Sequence, residues 1–325
     1  MSAVKGFRSS FGKAFAKNIL QWFPGHMGKG LKQLQQQLVN VDCIIEVHDA
    51  RIPFSGRNEL FKSTLLGARP HILVLNKCDL IEKDMQPRIL NALQKGAYTS
   101  DVIFTDCRTP QGFGVTDVIP AVTNKLKDVY RYNRQDEKAF NLLIIGVPNV
   151  GKSSLINVLR NYYTKKKKAT KVGPIAGITR SVLTKIQVCY KPPLYLLDSP
   201  GILEPQVKDV EDGFRLALCA SMQDHLVGIT NIADYLLYWL NKNEYFSYVE
   251  ILGLKEPCDN IVEVLAFIAV KQNFILKFKD PATGRLVQRP DILRGATHFV
   301  KLFRRGELGL FFLDSDLLDA QSNRL

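Results

Sequence analysis

The apolar run Phe140–Ile145 leads directly into Gly146-Val147-Pro148-Asn149-Val150-Gly151-Lys152-Ser153, and a helix-compatible stretch, Ser154–Arg160, follows. This feature constrains the fold most strongly. A buried strand, a loop with glycine at both ends and a helix must succeed one another here. The spacing Gly-x4-Gly-Lys-Ser turns the backbone N–H groups of such a loop inward, at the start of a helix whose dipole also favours negative charge, and the loop therefore cradles phosphate. Asn149, Val150, Gly151, Lys152, Ser153 and Ser154 are the expected contacts. Lys152 bridges the β- and γ-phosphates, and the Ser153 hydroxyl ligates Mg²⁺.

Further apolar runs at Val41–Val47, His71–Leu75, Val102–Thr105, Ile186–Tyr190 and Leu194–Leu197 read as strands buried on both faces of a parallel sheet. Chemistry-bearing residues follow several of them, as expected for a three-layer α/β domain with its site at the strand C-termini. His71–Leu75 ends at Asn76-Lys77-Cys78-Asp79. A fixed Asp79 carboxylate accepts both the N1–H and the exocyclic amine of guanine. Adenine offers neither, so a desolvated Asp79 discriminates by about 10⁴ or more. Asn76 would tie the loop and approach N7, and the Lys77 stem would cover the ring. After Val102–Thr105, Asp106-Cys107-Arg108 stands where a second base-contacting loop is needed, with a backbone N–H of Cys107 reaching guanine O6. Asp198-Ser199-Pro200-Gly201 supplies a carboxylate for Mg²⁺ and the Gly201 N–H for the γ-phosphate. Thr179, in Gly177-Ile178-Thr179, fits a threonine that closes on Mg²⁺ and the γ-phosphate. The expected Mg²⁺ ligands are thus Ser153, Thr179 and Asp198, and the nucleotide is GTP or GDP.

A length of 325 residues suits two domains. Residues 22–208 carry the motifs, opening with a helix over Lys29–Val39. Residues 209–325 read as mostly helical, with helices over Val210–Leu226, Asn231–Asn241, Ile261–Val270 and Asp291–Arg305 and a strand near Phe274–Phe278. The formal charge of +13 points to a polyanion, nucleic acid or an anionic membrane surface, or to a solvated basic face. Arg160, Lys165–Lys168 and Lys171 form a basic run before Thr179, and Lys301, Arg304 and Arg305 a weaker one. Residues 1–21 carry Lys5, Arg8, Lys13 and Lys17 among Phe7, Phe11 and Phe15, without an acidic residue. That spacing reads as a mitochondrial presequence, or as a basic helix that docks on RNA. No apolar run approaches the ~18 residues a spanning helix needs. Six cysteines stand singly, without metal-ligand spacing.

In ordinary GTPases the phosphate loop comes first and the guanine motif last, the reverse of the order here. With Trp22-Phe23-Pro24-Gly25-His26-Met27 upstream and Asp49-Ala50-Arg51 between, the chain resembles the circularly permuted GTPases of the YlqF/RbgA type, and among them the mitochondrial branch. The resemblance covers nearly everything after residue 20. It implies a circularly permuted P-loop GTPase domain, with a three-layer, mostly parallel sheet, followed by a mostly α-helical domain that contacts rRNA. It also implies assembly of the mitochondrial large ribosomal subunit, with hydrolysis slow in isolation and stimulated by the ribosomal particle. The matrix, or the matrix face of the inner membrane through peripheral association, is the implied location, and a monomer the expected state. Ile202 follows Gly201 where Ras-like enzymes carry a water-orienting glutamine. The family motif assigns that role to His26, which could equally be a structural hydrogen-bonder. Asn149 matches an asparagine that helps bind K⁺ beside the phosphates in related GTPases. The switch loop departs from the family's frequent Pro-Gly-x-Thr, having Ala176 before Gly177.

Overall fold

The computed structural model describes residues 6–11, 38–57, 69–95, 101–109, 112–127, 131, 136–165, 185–198, 207, 209–279 and 284–322. Strands β1 (Cys43–Asp49), β2 (His71–Asn76), β3 (Val102–Thr105), β4 (Phe140–Ile145), β5 (Lys185–Cys189) and β6 (Leu194–Asp198) form a six-stranded sheet in the order β3-β2-β1-β4-β6-β5. All neighbours run parallel except β5, which is antiparallel to β6.

Side chains alternate between the faces of a strand, and both faces here are apolar. Ile45, Val47, Ile72, Val74, Leu142 and Ile144 pack under helices α2 (Val115–Leu126) and α3 (Lys152–Thr164). Leu73 and Leu75 pack under helix α1 (Met85–Lys95) through Met85, Ile89 and Leu93. The result is a helix–sheet–helix sandwich. The run Val41–Val47, read as apolar, contains two buried charges. Glu46 is met by Arg57 Nη2 at 2.9 Å, His48 Nε2 at 2.8 Å and His71 Nε2 at 3.2 Å. Asp42 accepts from the Asn141 N–H at 2.7 Å and Arg131 Nε at 3.2 Å. Burial alone would raise the Glu46 carboxyl, but Arg57 and the two histidines hold it well below its ordinary value.

A second compact unit is mainly helical, with α4 (Val210–Leu218), α5 (Asp224–Val227), α6 (Ile229–Lys242), α7 (Ser247–Leu252), α8 (Ile261–Lys271) and α9 (Ile292–Arg305). A hairpin of β7 (Ile275–Lys279) and β8 (Leu286–Pro290) joins α8 to α9; the sequence suggests only its first strand. The single helix expected over Val210–Leu226 is broken. Arg304 donates to the Ala217 and Leu218 carbonyls at 2.8 and 3.0 Å, taking the end of α4, and its Nη1 meets Asp224 at 2.9 Å. Arg304 is therefore a cap inside this unit, whereas Lys301 and Arg305 are exposed on α9.

The two units also correct a simple succession of 22–208 and 209–325. Residues 219–222 and 310–322 belong with the sheet, and residues 6–11 with the helices. Residues 6–11 are irregular with a bend at Ser9 and Ser10, not helical; most of the helix expected over Lys29–Val39 lies outside the described residues. The returning C-terminal segment ends in α10 (Ser315–Ser322) and packs Phe312 and Leu318 against the α1 side of the sheet. The Phe311 and Leu313 N–H groups donate to the Leu80 and Arg51 carbonyls at 3.1 and 3.0 Å. Buried Asp314 accepts from the Phe54 and Ser55 N–H groups at 2.8 and 3.0 Å and from the Ser55 hydroxyl.

Asp314→Ala would leave these donors buried and unmatched. Since each such group costs about 1–3 kcal/mol, urea unfolding is expected to show a loss of about 2–4 kcal/mol.

Candidate nucleotide-binding site

From β1 the chain proceeds outward to β2 and β3, and from β4 it moves to the other side, to β5 at the far edge and back to β6 beside β4. The carboxyl ends of β1 and β4 therefore flank a topological switch point, the place where open α/β sheets bind ligands. Asp49, Asn76 and Thr105 end adjacent strands in direct register, and Asp198 ends β6 opposite Ile144 of β4. Motifs far apart in sequence thus meet at one edge.

Asn76 joins them. Its buried amide donates from Nδ2 to the Val150 carbonyl at 2.7 Å, while Oδ1 accepts from the Thr105 hydroxyl at 3.1 Å. One side chain fixes the guanine motif to the phosphate loop and to the strand that leads into Asp106-Cys107-Arg108. The approach demands glycine at 151. That residue has φ 101°, and a Cβ there would collide with Asn76 Nδ2. Gly146 is equally constrained, since a Cβ would run into the Val47 carbonyl. The two glycines thus let the loop backbone pack directly against Asn76 and the end of β1. Lys152 arches over the loop, with Nζ 2.8 Å from both the Gly146 and Val147 carbonyls. Asn149 adopts φ 58°, and its Nδ2 donates to the Ala220 carbonyl at 2.9 Å.

The base-reading side is electrostatically poised. Both Asp79 carboxylate oxygens are shut off from solvent and have no aligned hydrogen-bond donor. Arg108 Nη1 lies 2.9 Å from Oδ2, an ion pair in distance alone. Burial pushes the Asp79 carboxyl up, against the pull of Arg108. An acceptor pair of this kind fits the two donors on guanine's N1 and C2. Cys107 turns its thiol onto the core, where burial pushes it up to about 12. The Arg108 N–H donates to Asp106 Oδ1 at 2.8 Å and shapes that loop.

Lys77 sits at φ 61° with Nζ 2.8 Å from Asp49 Oδ2. Arg51 grips the same carboxylate in a fork, Nε to Oδ1 at 2.9 Å and Nη2 to Oδ2 at 2.8 Å. The Ala50 N–H donates to the Asn76 carbonyl at 2.8 Å. Burial would raise the Asp49 carboxyl, but Arg51 and Lys77 hold it far below its ordinary value, and it stays ionised. Asp49-Ala50-Arg51, in the sequence only a family mark, is the mount that aims Lys77. A carboxylate one strand over from a lysine of the base motif is the signal that pairwise strand reading would have needed.

Ser153 stands on the first turn of α3 and Asp198 at the end of β6. A hydroxyl and a carboxylate are hard oxygen donors suited to Mg²⁺ shared with phosphate oxygens, so the residues present fit that ion. Val150 buries its side chain in the core beneath the loop, and Ser154 follows Ser153 into the helix. His26, Thr179, Gly201 and Ile202 lie outside the described residues.

Two expectations follow. Gly151→Ala would displace Asn76 and lower GTP affinity by about 100-fold or more, measured by fluorescent-nucleotide titration. Guanine needs ionised Asp79, whose raised value means that protonation begins above the usual carboxylate range. GTP affinity should therefore weaken as pH falls, starting above the usual carboxylate range, more steeply than in Asp79→Asn, which loses that titration.

The residues 141–266 match a family model described as 50S ribosome-binding GTPase. The chain is 51% identical over 301 residues to Mitochondrial GTPase 1 of Aedes aegypti, covering 92% of this chain and 95% of that protein. It is 48% identical over 308 residues to Mitochondrial ribosome-associated GTPase 1 of Bos taurus, covering 94% and 92%. The crystal structure of GNP-bound YlqF from T. maritima shares the fold, with a TM-score of 0.53 at 22% identity over 87% of this chain and 97% of that one. Together with the strand order and the inverted motifs, these likenesses place the chain in the mitochondrial ribosome-associated GTPase 1 family of circularly permuted GTPases.

Proposed function

We propose that this protein is a GTP-hydrolysing assembly factor of the mitochondrial large ribosomal subunit, in which the ribosomal particle stimulates hydrolysis and hydrolysis permits release. The observation that carries the nucleotide half is the Asn76 amide, which holds the guanine motif against the phosphate loop. The relatives' names carry the ribosomal and mitochondrial half.

In the proposed reaction a water attacks the γ-phosphorus, the bond to the β–γ bridging oxygen breaks, and GDP and phosphate leave. Lys152 and the loop N–H groups hold the phosphates. Ser153, Asp198 and Thr179 would hold Mg²⁺, which would offset negative charge on the phosphates, and the Gly201 N–H would meet the γ-phosphate. Ile202 has no group with which to orient the water, so that role falls to His26 and turnover of the free protein is slow. K⁺ beside Asn149 would supply positive charge at the phosphates. Exposed Lys301 and Arg305 provide phosphate contacts for rRNA. Among the described residues no helix is long and apolar enough to cross a membrane, and any inner-membrane association on the matrix side would be peripheral. The protein acts as a monomer in this reading.

GTPase assays with and without mitochondrial large subunits test it. Stimulation of about 10-fold or more is expected, and is lost in His26→Ala while GTP affinity is kept. GTP-dependent binding to subunits without any stimulation would instead make the protein an RNA-bound scaffold. Sedimentation with anionic liposomes in preference to subunits would make it a membrane-associated GTPase.

A further inference from the structure

Residues 6–11 fill a position in the helical unit. Arg8 places its guanidinium between two carboxylates from different elements. Nη2 and Nη1 donate to Asp234 Oδ1 and Oδ2 at 2.8 and 3.2 Å, on α6. Nε donates to Asp259 Oδ1 at 3.0 Å, just before α8, and the Arg8 backbone N–H takes Asp259 Oδ2 at 3.0 Å. Phe11 enters an aromatic cluster, with its ring centroid 4.9 Å from Phe214, 5.3 Å from Tyr235 and 5.4 Å from Tyr238. Those three rings are at most 1% exposed with the segment in place. Phe7 meets Phe246 at 5.7 Å, and the Tyr238 hydroxyl donates to the Ser9 carbonyl at 3.4 Å.

A disposable leader has no reason to match the mature fold, yet here a charged side chain and an aromatic one are both matched by partners at long sequence distance. A forked guanidinium shared by two carboxylates is a geometric fit that an ammonium cannot reproduce. Loss of the segment would uncover Phe214, Tyr235 and Tyr238 and leave Asp234 and Asp259 without the cation between them. A cut after Phe11 would also remove the covalent tether, and a short N-terminal peptide held by these contacts alone would not persist at cellular concentrations.

We infer that residues 8–11 are a permanent strap of the helical unit, so any processing cut lies before Arg8, and Arg8 and Phe11 stay in the working protein. The same residues then act twice. In the unfolded chain Arg8 and Phe11, beside Lys5, Phe7, Lys13 and Phe15, contribute to the composition of an import address, a role that rests on the mitochondrial reading above. After folding, Arg8 and Phe11 are committed to the α4–α6–α8 assembly.

Intact-mass analysis and N-terminal sequencing of C-terminally tagged full-length protein recovered from mitochondria decide the processing. A first residue at or before Arg8 is expected, and one beyond Arg8 overturns the inference. In the recombinant full chain, Arg8→Ala and Phe11→Ala should each lower the melting temperature by about 5 °C. Arg8→Lys should recover only part of the loss, and Phe11→Leu serves if the alanine variant does not fold. Unchanged melting in Arg8→Ala and Phe11→Leu would also overturn the strap. Recovery of the protein outside mitochondria would defeat the mitochondrial reading and leave these melting shifts to decide the strap.

Discussion

The site depends on one carboxamide. Asn76 is buried at the end of β2, so its amide must find partners within the protein. It finds one on the phosphate loop and one on the neighbouring strand. Because an amide donates from one end and accepts at the other, it can hold two loops at a fixed distance only when both offer the complementary group. Glycine at 151 is the steric consequence, since any side chain would occupy the place of the amide nitrogen. Permutation leaves this contact intact. The sheet sets which strand ends are adjacent, and the order in which the chain visits them does not enter.

Much of this was legible in the sequence, for reasons visible in particular residues. Phe140–Ile145 followed by Gly146 and Gly151-Lys152 admits one local geometry, and β4, the loop and α3 take it. The expectation for Asp79 rests on adenine and guanine differing at the atoms a carboxylate meets, and its oxygens are left without aligned donors. What was not legible depends on tertiary partners. Glu46 and Asp42 look like exceptions in an apolar strand until Arg57, His48, His71 and Arg131 arrive from elsewhere. Val210–Leu226 has the periodicity of one helix, and Arg304, far along the chain, ends it by taking its last carbonyls. Asp49 is an ordinary acidic residue in sequence. Its role in aiming Lys77 follows from β1 and β2 lying side by side.

The two chain ends follow the same logic. Asp314 returns the C-terminal segment to the sheet by capping Phe54 and Ser55, beside Arg51, which grips Asp49. Arg8 ties the N-terminal segment into the helices by joining Asp234 and Asp259. In both cases a single charged group matched by several partners decides to which compact unit a terminal segment belongs. A linear boundary between two domains, drawn from changes in periodicity, cannot register such returns.

If Asn76 holds guanine recognition and phosphate binding together as one structure, its loss should impair both. Calorimetric titration of GTP and ATP into the wild-type protein and Asn76→Ala, with Mg²⁺ present, tests it most directly. The wild-type protein should prefer GTP by about 10⁴, and the variant should lose GTP affinity by about 100-fold together with most of that preference. Equal wild-type affinity for the two nucleotides, or a variant that keeps both its GTP affinity and its selectivity, would contradict the account.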